Sequence, residues 1–414
     1  MNLIKSSYYS FISTVFKMLS ALVINKAVAY FIGPSGLALI GQFQNFSQIA
    51  TTAAQGAINT GIIKYTSEYR NDKDKLTTLF SNVLKISLVC SAATGLTLVC
   101  FSRLLAVQFL NSVNYYYIFI VFGVTITMFT LNGLLLSILN GLQEIKIFIK
   151  VNIIQSLYSL VFTTALVWFF GIHGALLALA TNQSLIFFVL LFILRKHQIL
   201  NIKNFKGAYC SKETLKLLKF SMMAFISAII NPVSLIIIRN HLTTNYGIVA
   251  AGQWQAVWYI SAMYLLVVTT TLGIYYLPKL SSITDKGLLK KEILLGYKTI
   301  MPIVILSTIL IFVCKDFIIQ ILFSKDFLPI RNLFLFQLIG DLFKLMAWLL
   351  SYIMLAKAMT KIFIVTEIVF VSSFVFLSYL FCNKYGVIGV TYAYAANYFL
   401  YLLCMVFVFR KLLF

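Results

Sequence analysis

The chain contains the same glycine- and glutamine-rich phrase twice, GLALIGQFQ at Gly36–Gln44 and GIVAAGQWQ at Gly247–Gln255. Both follow the pattern G-x-x-x-x-G-Q-aromatic-Q, and they begin 211 residues apart. Both phrases place glycines and polar residues in a chain that is 61% hydrophobic. The repetition indicates that the two halves of the chain are built on one plan.

Two further matches support an internal duplication. GIHGALLALATN from Gly171 matches GVIGVTYAYAAN from Gly386, 215 residues later, and at that same offset KIFI occurs at 146–149 and again at 361–364. The matched phrases come in the same order in both halves. Parallel repeats of this kind occur in transporters, related by an axis along the membrane normal.

The composition is that of a membrane protein. Of the 414 residues 61% are hydrophobic and 11% are charged, whereas soluble domains carry roughly 25% charged residues. The apolar runs are continuous and long enough to cross a ~30 Å hydrocarbon core, which favours helices over an alternating β-barrel. We predict twelve spans, at 10–32, 37–62, 77–101, 115–138, 149–170, 174–194, 217–238, 248–277, 294–314, 333–356, 362–382 and 387–409.

The predicted fold is an all-α polytopic membrane protein with two pseudo-symmetric six-helix bundles around a central cavity. The domain boundaries predicted from the longest polar connection are a first bundle over 1–196, a cytoplasmic linker over 197–216 and a second bundle over 217–414. In this arrangement the two copies of the repeated phrase begin helices 2 and 8, which we expect to face one another across the cavity.

The net charge of +22 is explained by the predicted topology. Twenty-three lysines and arginines fall on one side of the spans and six on the other, and the richer side is the cytoplasmic one, so both termini are predicted to be cytoplasmic. We therefore expect no nucleic-acid partner. The six cysteines and three histidines show no metal-binding or paired spacing, so we expect no metal, cofactor or disulfide.

Charged side chains inside the spans are the first candidates for function, because a lysine in the bilayer is costly. Lys17 and Lys26 fall in the first helix, with Asn25 beside Lys26, and Arg239 is predicted to end the seventh helix. With a small slip in the repeat, Lys26 and Arg239 correspond and face each other. The alternative for such a lysine is that its stem snorkels to the interface.

A polar stripe is the second candidate. Gln48, Thr52, Gln55 and Asn59 are spaced so that they share one face of helix 2. Gln42 precedes the stripe, and in helix 8 Gln253 and Tyr264 contribute less regularly. The stripe predicts a cavity wall, and the alternative is hydrogen bonding between helices.

Two acidic residues inside the spans are candidates for ion coupling. Asp341 is in helix 10 and Glu367 is in helix 11. Either carboxylate can serve as a proton or sodium site. For Asp341 the alternative is charge neutralisation by Lys344, three residues later on the same helix. The predicted interior is therefore basic, rich in hydrogen-bonding groups and poor in acids, which suits a large polar anion.

The chain also resembles a known family. The phrases that carry the resemblance are FIGPSGLALIGQFQNF, GIIKYTSEYRND, GQWQAVWYISAMY and YLPKLSSI. They are similar to those of the Wzx-type O-antigen and lipid III (enterobacterial common antigen) flippases, in the polysaccharide transport branch of the multidrug/oligosaccharidyl-lipid/polysaccharide exporter superfamily. The resemblance extends from helix 1 to helix 12.

The resemblance implies a bacterial inner-membrane protein that moves an undecaprenyl-diphosphate-linked oligosaccharide, lipid III or an O-antigen repeat unit, from the cytoplasmic to the periplasmic leaflet. It further implies membrane lipids as surroundings, a glycan polymerase and a chain-length regulator as pathway partners, and no enzymatic activity. By the same resemblance, Lys26, Arg239 and Lys17 are the residues expected to hold the diphosphate.

Two other classes remain as alternatives. A drug exporter of the same superfamily is expected to carry inward carboxylates in its first bundle, and helices 1 to 6 contain none by this assignment. A membrane glycan polymerase is expected to carry large external loops with acid–base residues, but the predicted external loops are short except for about 315–332. That segment mixes apolar and charged residues, as interfacial segments do.

Overall fold

The described residues of the computed structural model are 3–207, 210–272, 276–283, 285–357 and 359–413, and they form helices joined by turns and short loops. We number the α-helices α1 to α16: Leu3–Phe31, Gly33–Ala54, Asn59–Glu68, Lys73–Cys100, Ser102–Leu110, Tyr116–Gly141, Ile145–Leu194, Ser211–Tyr246, Ile248–Thr271, Leu277–Ser282, Lys286–Val313, Lys315–Leu322, Phe334–Ala356, Thr360–Tyr385, Gly389–Val408 and Arg410–Leu413. The predicted all-helical class is confirmed.

Seven helical stretches in the described part of the chain are long and apolar enough to cross a membrane. Two of them, Ile145–Leu194 and Thr360–Val408, contain 50 and 49 residues. At 1.5 Å per residue each would be about 75 Å long, more than twice the hydrocarbon thickness. Each therefore contains more than one crossing. The predicted total of twelve remains a prediction.

Both long stretches reverse at a glycine in the same backbone conformation. Gly171 has φ 54° and ψ −130°, and Gly386 has φ 68° and ψ −153°. Three residues after each turn a second glycine packs closely: a Cβ on Gly174 would lie 1.9 Å from the Leu166 carbonyl oxygen. In the other half a Cβ on Gly389 would lie 2.3 Å from the corresponding carbonyl oxygen, that of residue 381. The duplication seen in the sequence is thus also a duplication of turn geometry.

The chain divides into two compact units, the first comprising residues 1–31 and 39–233 and the second comprising residues 32–38 and 234–414. In the first unit one core cluster is built around Phe43, whose ring lies 5.7 Å from that of Phe119 and 5.9 Å from that of Phe122. In the second unit a core cluster contains the fully buried Trp254 and Tyr394. The aromatic residue of each repeated phrase therefore serves the core of its own unit.

The long helices α4 and α11 also correspond. Each has 28 residues and each begins at an aspartate N-cap, Asp72 and Asp285, 213 residues apart. The Asp72 carboxylate accepts a hydrogen bond from the Lys75 backbone N–H at 3.1 Å, and Asp285 accepts one from the Leu288 backbone N–H at 2.7 Å. These bonds satisfy backbone donors that the first helical turn leaves open.

Two predicted elements differ from the structure. The predicted span 37–62 is broken, because α2 ends at Ala54 and the chain passes through left-handed conformations at Gly56 and Ala57, with φ of 60° and 54°, before α3 begins. Arg239 does not end its helix, because α8 continues to Tyr246 through the polar sequence that follows. The predicted span 248–277 includes residues 273–275, which lie outside the described residues, and α9 ends at Thr271.

The polar connection between the halves is held against the first unit over its described residues. The buried Asn82 side chain donates to the Cys210 carbonyl at 2.9 Å and accepts from the Cys210 N–H at 3.1 Å. Ser81 donates to the Gly207 carbonyl at 2.7 Å. The Asn82 amide thus has a partner at both its nitrogen and its oxygen, so this part of the connection is docked on α4.

Candidate functional site

A polar cavity of about 400 Å³ lies within the first unit, between α1 and the two limbs of α7. We call residues 145–170 the first limb and residues 172–194 the second limb. From α1 the polar residues are Lys17 and Ser20. From α7 they are Asn152, Gln155, Ser156 and Ser159 on the first limb and Asn182 and Gln183 on the second.

A second cavity of about 290 Å³ shares two of these residues, Asn182 and Gln183. Its other polar lining comes from α2, at Gln44, Ser47, Gln48 and Thr51. Both volumes are of the size that small-ligand sites have. The two cavities therefore border one another through the second limb of α7 and define a polar region that we call the first-unit cavity.

Helical periodicity explains why these side chains share a region. On α2, on the first limb of α7 and on its second limb, the lining residues recur at i, i+3, i+4 and i+7. Positions with that spacing lie on one face of a helix. Three polar faces of otherwise apolar helices thus meet in one unit, which is a costly arrangement unless water or a polar ligand satisfies them.

Hydrogen bonds fix several of the amides. The Asn182 Nδ2 donates to Ser159 Oγ, joining the two limbs across the hairpin. The Gln155 Nε2 donates to Asn132 Oδ1 on α6 at 3.2 Å. The Asn152 Nδ2 donates to the Phe148 carbonyl oxygen one turn earlier at 2.8 Å. These bonds orient one side of each amide.

The charge of the lining is simple. Lys17 is the one charged residue among those that line the two cavities, and no aspartate or glutamate is among them. Lys17 is exposed on α1. An amide- and hydroxyl-rich wall with a single ammonium group provides both donors and acceptors and carries a positive charge.

The other predicted site residues of the first half lie in different surroundings, and not all of them line the cavity. Lys26 is exposed on α1 and Asn25 is half-buried beside it, and neither lines the first-unit cavity. Gln42 is buried next to the aromatic core residue Phe43. Gln48 lines the cavity, as predicted for a cavity wall.

The predicted stripe of Gln48, Thr52, Gln55 and Asn59 is not continuous, because the helix ends at Ala54. Gln55 lies in the turn, and its Oε1 accepts a hydrogen bond from Asn59 Nδ2 at 2.7 Å. The Thr52 hydroxyl donates to the Gln48 carbonyl at 2.7 Å. The face of α2 that reaches the cavity is rotated from the predicted one.

The residues on α7 were missed as site residues by the sequence-based prediction. Their signal is present in the sequence, because Asn152, Gln155, Ser156 and Ser159 follow the i, i+3, i+4, i+7 spacing within an apolar run. Asn182 was noted only as part of the repeat. The same kind of spacing that identified the stripe of helix 2 therefore also identifies this face of α7.

In the second unit the repeated phrase holds an arginine. The Arg239 side chain is 2% exposed, its Nη2 donates to Gln255 Oε1, and its guanidinium lies 5.6 Å from the Trp254 ring centroid. Gly252 allows a different close contact, between α9 and the backbone of residue 34, because a Cβ there would clash with the Pro34 carbonyl oxygen. Of the two glutamines of the second phrase, Gln255 therefore holds Arg239.

A second buried network surrounds Asp341, which is fully buried. Its carboxylate accepts hydrogen bonds from Ser261 Oγ at 2.6 Å and from the Tyr394 hydroxyl at 2.8 Å. Lys344 Nζ donates to the same Tyr394 hydroxyl at 3.3 Å. The Tyr394 oxygen thus joins the two charged groups.

Aromatic rings surround the Lys344 ammonium. Its Nζ lies 4.8 Å from the ring centroid of Trp348, 5.0 Å from that of Tyr398 and 5.6 Å from those of Trp258 and Tyr394. Each such contact is attractive, and more so when water is excluded. Lys344 is therefore compensated by rings as well as by Asp341.

The remaining predicted residues of the second half are near this network or near the unit's surface. The buried Tyr264 hydroxyl lies beside Asp341 and has no hydrogen-bond partner within 3.5 Å among the described residues. Glu367 is half-buried and interacts with Lys344 electrostatically. The Gln253 Nε2 donates to the Asp326 carbonyl at 3.1 Å, which ties α9 to the connection between α12 and α13.

Comparison with known proteins agrees with this architecture. Residues 3–284 match the model of a family described as polysaccharide biosynthesis protein. The lipid III flippases of Escherichia coli (strain K12) and Shigella flexneri are each 27% identical over 409 residues, which cover 98% of this chain and 98% of the relative. These matches confirm the resemblance seen in the sequence.

Solved structures share the fold. An inward-facing multidrug resistance MATE family transporter of the MOP superfamily superposes with a TM-score of 0.78 at 16% identity, covering 95% of this chain and 94% of that one. The lipid II flippase MurJ, in an inward closed conformation, superposes with a TM-score of 0.71 at 18% identity, covering 98% and 87%.

Proposed function

This chain belongs to the polysaccharide biosynthesis protein family, and from that premise we propose that it is a flippase for a polyprenyl-diphosphate-linked oligosaccharide. The observation that carries the proposal is the first-unit cavity, whose wall is rich in amides and hydroxyls and contains no carboxylate. The similarity to two lipid III flippases over 98% of the chain supports the same class of substrate.

The chemistry of the headgroup requires such a cavity. A diphosphate with several sugars cannot cross hydrocarbon unaided, because each buried hydroxyl and charge would lose its hydrogen bonds to water. Amide side chains donate and accept, so the faces of α2 and α7 can replace water around sugar hydroxyls. The polyprenyl tail stays in the lipid while the headgroup passes.

Lys17 is the residue that we assign to the negative charge, because it lines the cavity. An ammonium group binds phosphate as a point charge. Lys26 and Arg239, the other expected contacts of the diphosphate, remain proposals. The described contacts of Arg239 are with Gln255 and Trp254, and Lys26 is exposed elsewhere on α1.

The driving force and the mechanical cycle complete the proposal. Two six-helix bundles, over 1–196 and 217–414 with a linker over 197–216, would rock to alternate access, as transporters built from repeats do. Asp341 and Glu367 are the candidates for coupling to an ion gradient. We further propose a bacterial inner membrane, cytoplasmic termini, lipid III or an O-antigen repeat unit as cargo, and a glycan polymerase and chain-length regulator as pathway partners.

A drug exporter is the weaker alternative. Binding of a cationic drug requires carboxylates or a comparable negative wall, and neither cavity of the first unit is lined by one. The single charge there is Lys17, which repels cations. The cavity chemistry therefore favours an anionic, polyhydroxylated cargo.

The test is leaflet transfer in proteoliposomes that contain a polyprenyl-diphosphate oligosaccharide. The wild-type chain is compared with Lys17→Gln and Asn182→Ala, at matched amounts of folded protein. We expect transfer by the wild type and a loss of tenfold or more in each variant, since tenfold corresponds to about 1.4 kcal/mol, the scale of one lost hydrogen bond or charge contact.

Lys85→Gln provides the matched control, because Lys85 is exposed and does not line the cavity, and Lys26→Gln tests the other expected lysine contact. Wild-type rates in Lys85→Gln with a slow Lys17→Gln would locate the anion contact. A slow Lys26→Gln with normal Lys17→Gln would move the contact to the originally expected residue. Absence of transfer by the wild type for several glycans would contradict the flippase proposal itself.

A further inference from the structure

Two short helices occupy the same place in each half of the chain. α5 follows α4 after a bend at Phe101, and α12 follows α11 after a bend at Cys314. The two bend residues have similar backbone angles, φ −100° and ψ 15° at Phe101 and φ −86° and ψ 8° at Cys314. They are 213 residues apart, the same offset that separates the N-caps of α4 and α11. The repeat therefore builds this bend and short helix twice.

The lengths of these helices locate the bends. With 28 residues each, α4 and α11 are about 42 Å long. The hydrocarbon core is ~30 Å thick, so each helix reaches the headgroup region before it bends. α5 has 9 residues and α12 has 8, about 12–14 Å, and neither can cross back. Both must run along the surface of the bilayer or leave it.

Apolar side chains on the exposed faces decide between these two courses. In α5, Ser102, Ala106 and Leu110 are buried against the unit, while Leu104 is 58% and Val107 is 50% exposed.

In α12, Ile319 is buried, while Phe317 is 65% and Ile321 is 42% exposed. The same pattern thus recurs in both halves. Apolar surface of this kind is unfavourable in water by about 25 cal/mol per Å².

Charged and aromatic groups lie at the ends of the same two helices. The Arg103 guanidinium is 5.8 Å from the Tyr116 ring centroid, and Lys315 Nζ is 3.9 Å from the ring centroid of the neighbouring Phe312. Arg331 forms an exposed ion pair with Asp316 at 3.9 Å. Aromatic rings together with basic side chains are typical of the membrane–water interface, where basic groups reach lipid phosphates.

We propose that α5 and α12 are in-plane membrane anchors that lie at the boundary between headgroups and acyl chains. Their partner is the phospholipid surface, because the helices directly before and after each of them cross the bilayer and bring it to them. Val107 and Phe317 point into the acyl region, and the basic residues contact phosphates. The anchors hold the ends of α4 and α11 at a fixed depth, a role beyond cargo binding.

The proposal is tested by measuring the depth of nitroxide labels in the full chain, reconstituted in bilayer nanodiscs of phosphatidylethanolamine and phosphatidylglycerol. Cysteine is introduced at Val107 or Phe317, and at the exposed polar neighbours Gln108 and Gln320 as matched controls. The labelled parent chain gives the background from native cysteines, which is subtracted. Collision rates with oxygen and with an aqueous nickel chelate report apolar and aqueous surroundings.

We expect labels at 107 and 317 to collide at least threefold more with oxygen relative to nickel chelate than labels at 108 and 320. Equal ratios, or a higher nickel-chelate rate at 107 and 317, would overturn the proposal, because the exposed faces would then lie in water. Ile321, four residues after Phe317, lies on the same face of α12. It replaces Phe317 as the label site if that variant fails to fold, and the α12 pair decides the test if the Val107 variant fails to fold.

Discussion

The two halves of this molecule place different chemistry at equivalent positions of the same hairpin. In the first unit, Gln155, Ser159 and Gln183 line a cavity. The residues 215 positions later are Phe370, Phe374 and Tyr398.

Those second-half residues pack in ring contacts. Phe370 lies 4.9 Å from Tyr401, and Tyr394 lies 5.6 Å from Phe374 and 4.8 Å from Tyr398, between ring centroids. The first unit therefore has an open polar cavity at the positions where the second unit has packed aromatic rings.

The backbone is not the source of this difference. Both hairpins turn at a glycine with positive φ, and both have a second glycine three residues later that contacts the preceding limb. Small polar residues leave space between the limbs, and large rings fill it. A duplicated frame has therefore diverged by side-chain volume and polarity, with a polar cavity in one unit and a buried charge network in the other.

The largest effect is expected when the first unit is given the side chains of the second. Ser159→Phe and Gln183→Tyr introduce the second half's residues and fill the first-unit cavity. We expect near-complete loss of oligosaccharide transfer, because the cargo's place is occupied, with little change in melting temperature. Transfer in proteoliposomes and thermal unfolding in detergent measure the two effects.

Leu157→Phe is the matched control, since Leu157 is on the same limb but 45% exposed and away from the cavity. It should transfer at the wild-type rate. Normal transfer by both Ser159→Phe and Gln183→Tyr would show that the first-unit cavity does not hold the cargo.

The reverse exchange, Phe374→Ser, removes a buried ring and should destabilise the second unit by about 3–5 kcal/mol, the cost of large-to-small core substitutions.

The next largest effect is expected when one charged side chain is removed from either unit. Asp341→Ala leaves the Lys344 ammonium buried without its counter-charge, and we expect a loss of about 3–5 kcal/mol in the free energy of unfolding. Lys17→Ala, in the open cavity, should change stability by no more than about 0.5 kcal/mol. Thermal unfolding of the two purified variants in one detergent checks both values.

Tyr394→Phe separates the hydroxyl bridge from the charges. It removes the hydroxyl oxygen that contacts both Asp341 and Lys344, and keeps the ring. A loss of about 1–3 kcal/mol is expected for leaving a buried acceptor short of a partner. If Asp341→Ala proved no more destabilising than Lys17→Ala, the network would not be the structural element described here, and coupling would be its better interpretation.

Much of this fold could be predicted because its causes are local. Long apolar runs specify membrane helices, and the paired phrases at Gly171 and Gly386 specify the duplicated turn. The break after Ala54 could not be predicted in the same way, because Gly56 and Ala57 lie inside a stretch whose polar residues keep a helical spacing on both sides of the break. The left-handed conformations there are a tertiary outcome.

The site was harder to predict than the fold. Arg239 was expected at a helix end because polar residues follow it, but those residues extend α8, and the arginine is buried against Gln255 and Trp254. Conversely, the polar face of the first α7 limb is regular in the sequence, yet its partner face on the second limb is known only once the hairpin forms. Periodicity identifies a face, and packing decides which faces meet.

The smallest expected effect tests whether the two halves are still equivalent outside the cavity. Asp72→Ala and Asp285→Ala each remove the N-cap of a 28-residue helix. Both should cause small and similar drops in melting temperature and faster amide exchange in the first turn, since a lost cap frees the same donors in each helix. Asp72→Asn and Asp285→Asn, which can still accept the bond, are the controls.

Lowering the pH removes the Asp72 N-cap without a mutation and so tests it independently. Hydrogen bonds from the Lys75 side chain and backbone hold the pKa of the Asp72 carboxyl below its usual value of 3.8. The cap therefore stabilises α4 above about pH 4 and is lost as the pH falls further, through the lowered pKa. The protection of the Lys75 amide, measured as its exchange rate relative to the intrinsic rate at each pH, should fall in that range in the wild-type chain, while the Asp72→Asn variant should show no such fall. A clear difference between the Asp72 and Asp285 alanine variants at neutral pH would mean that divergence between the halves extends beyond the hairpin side chains to the helix starts.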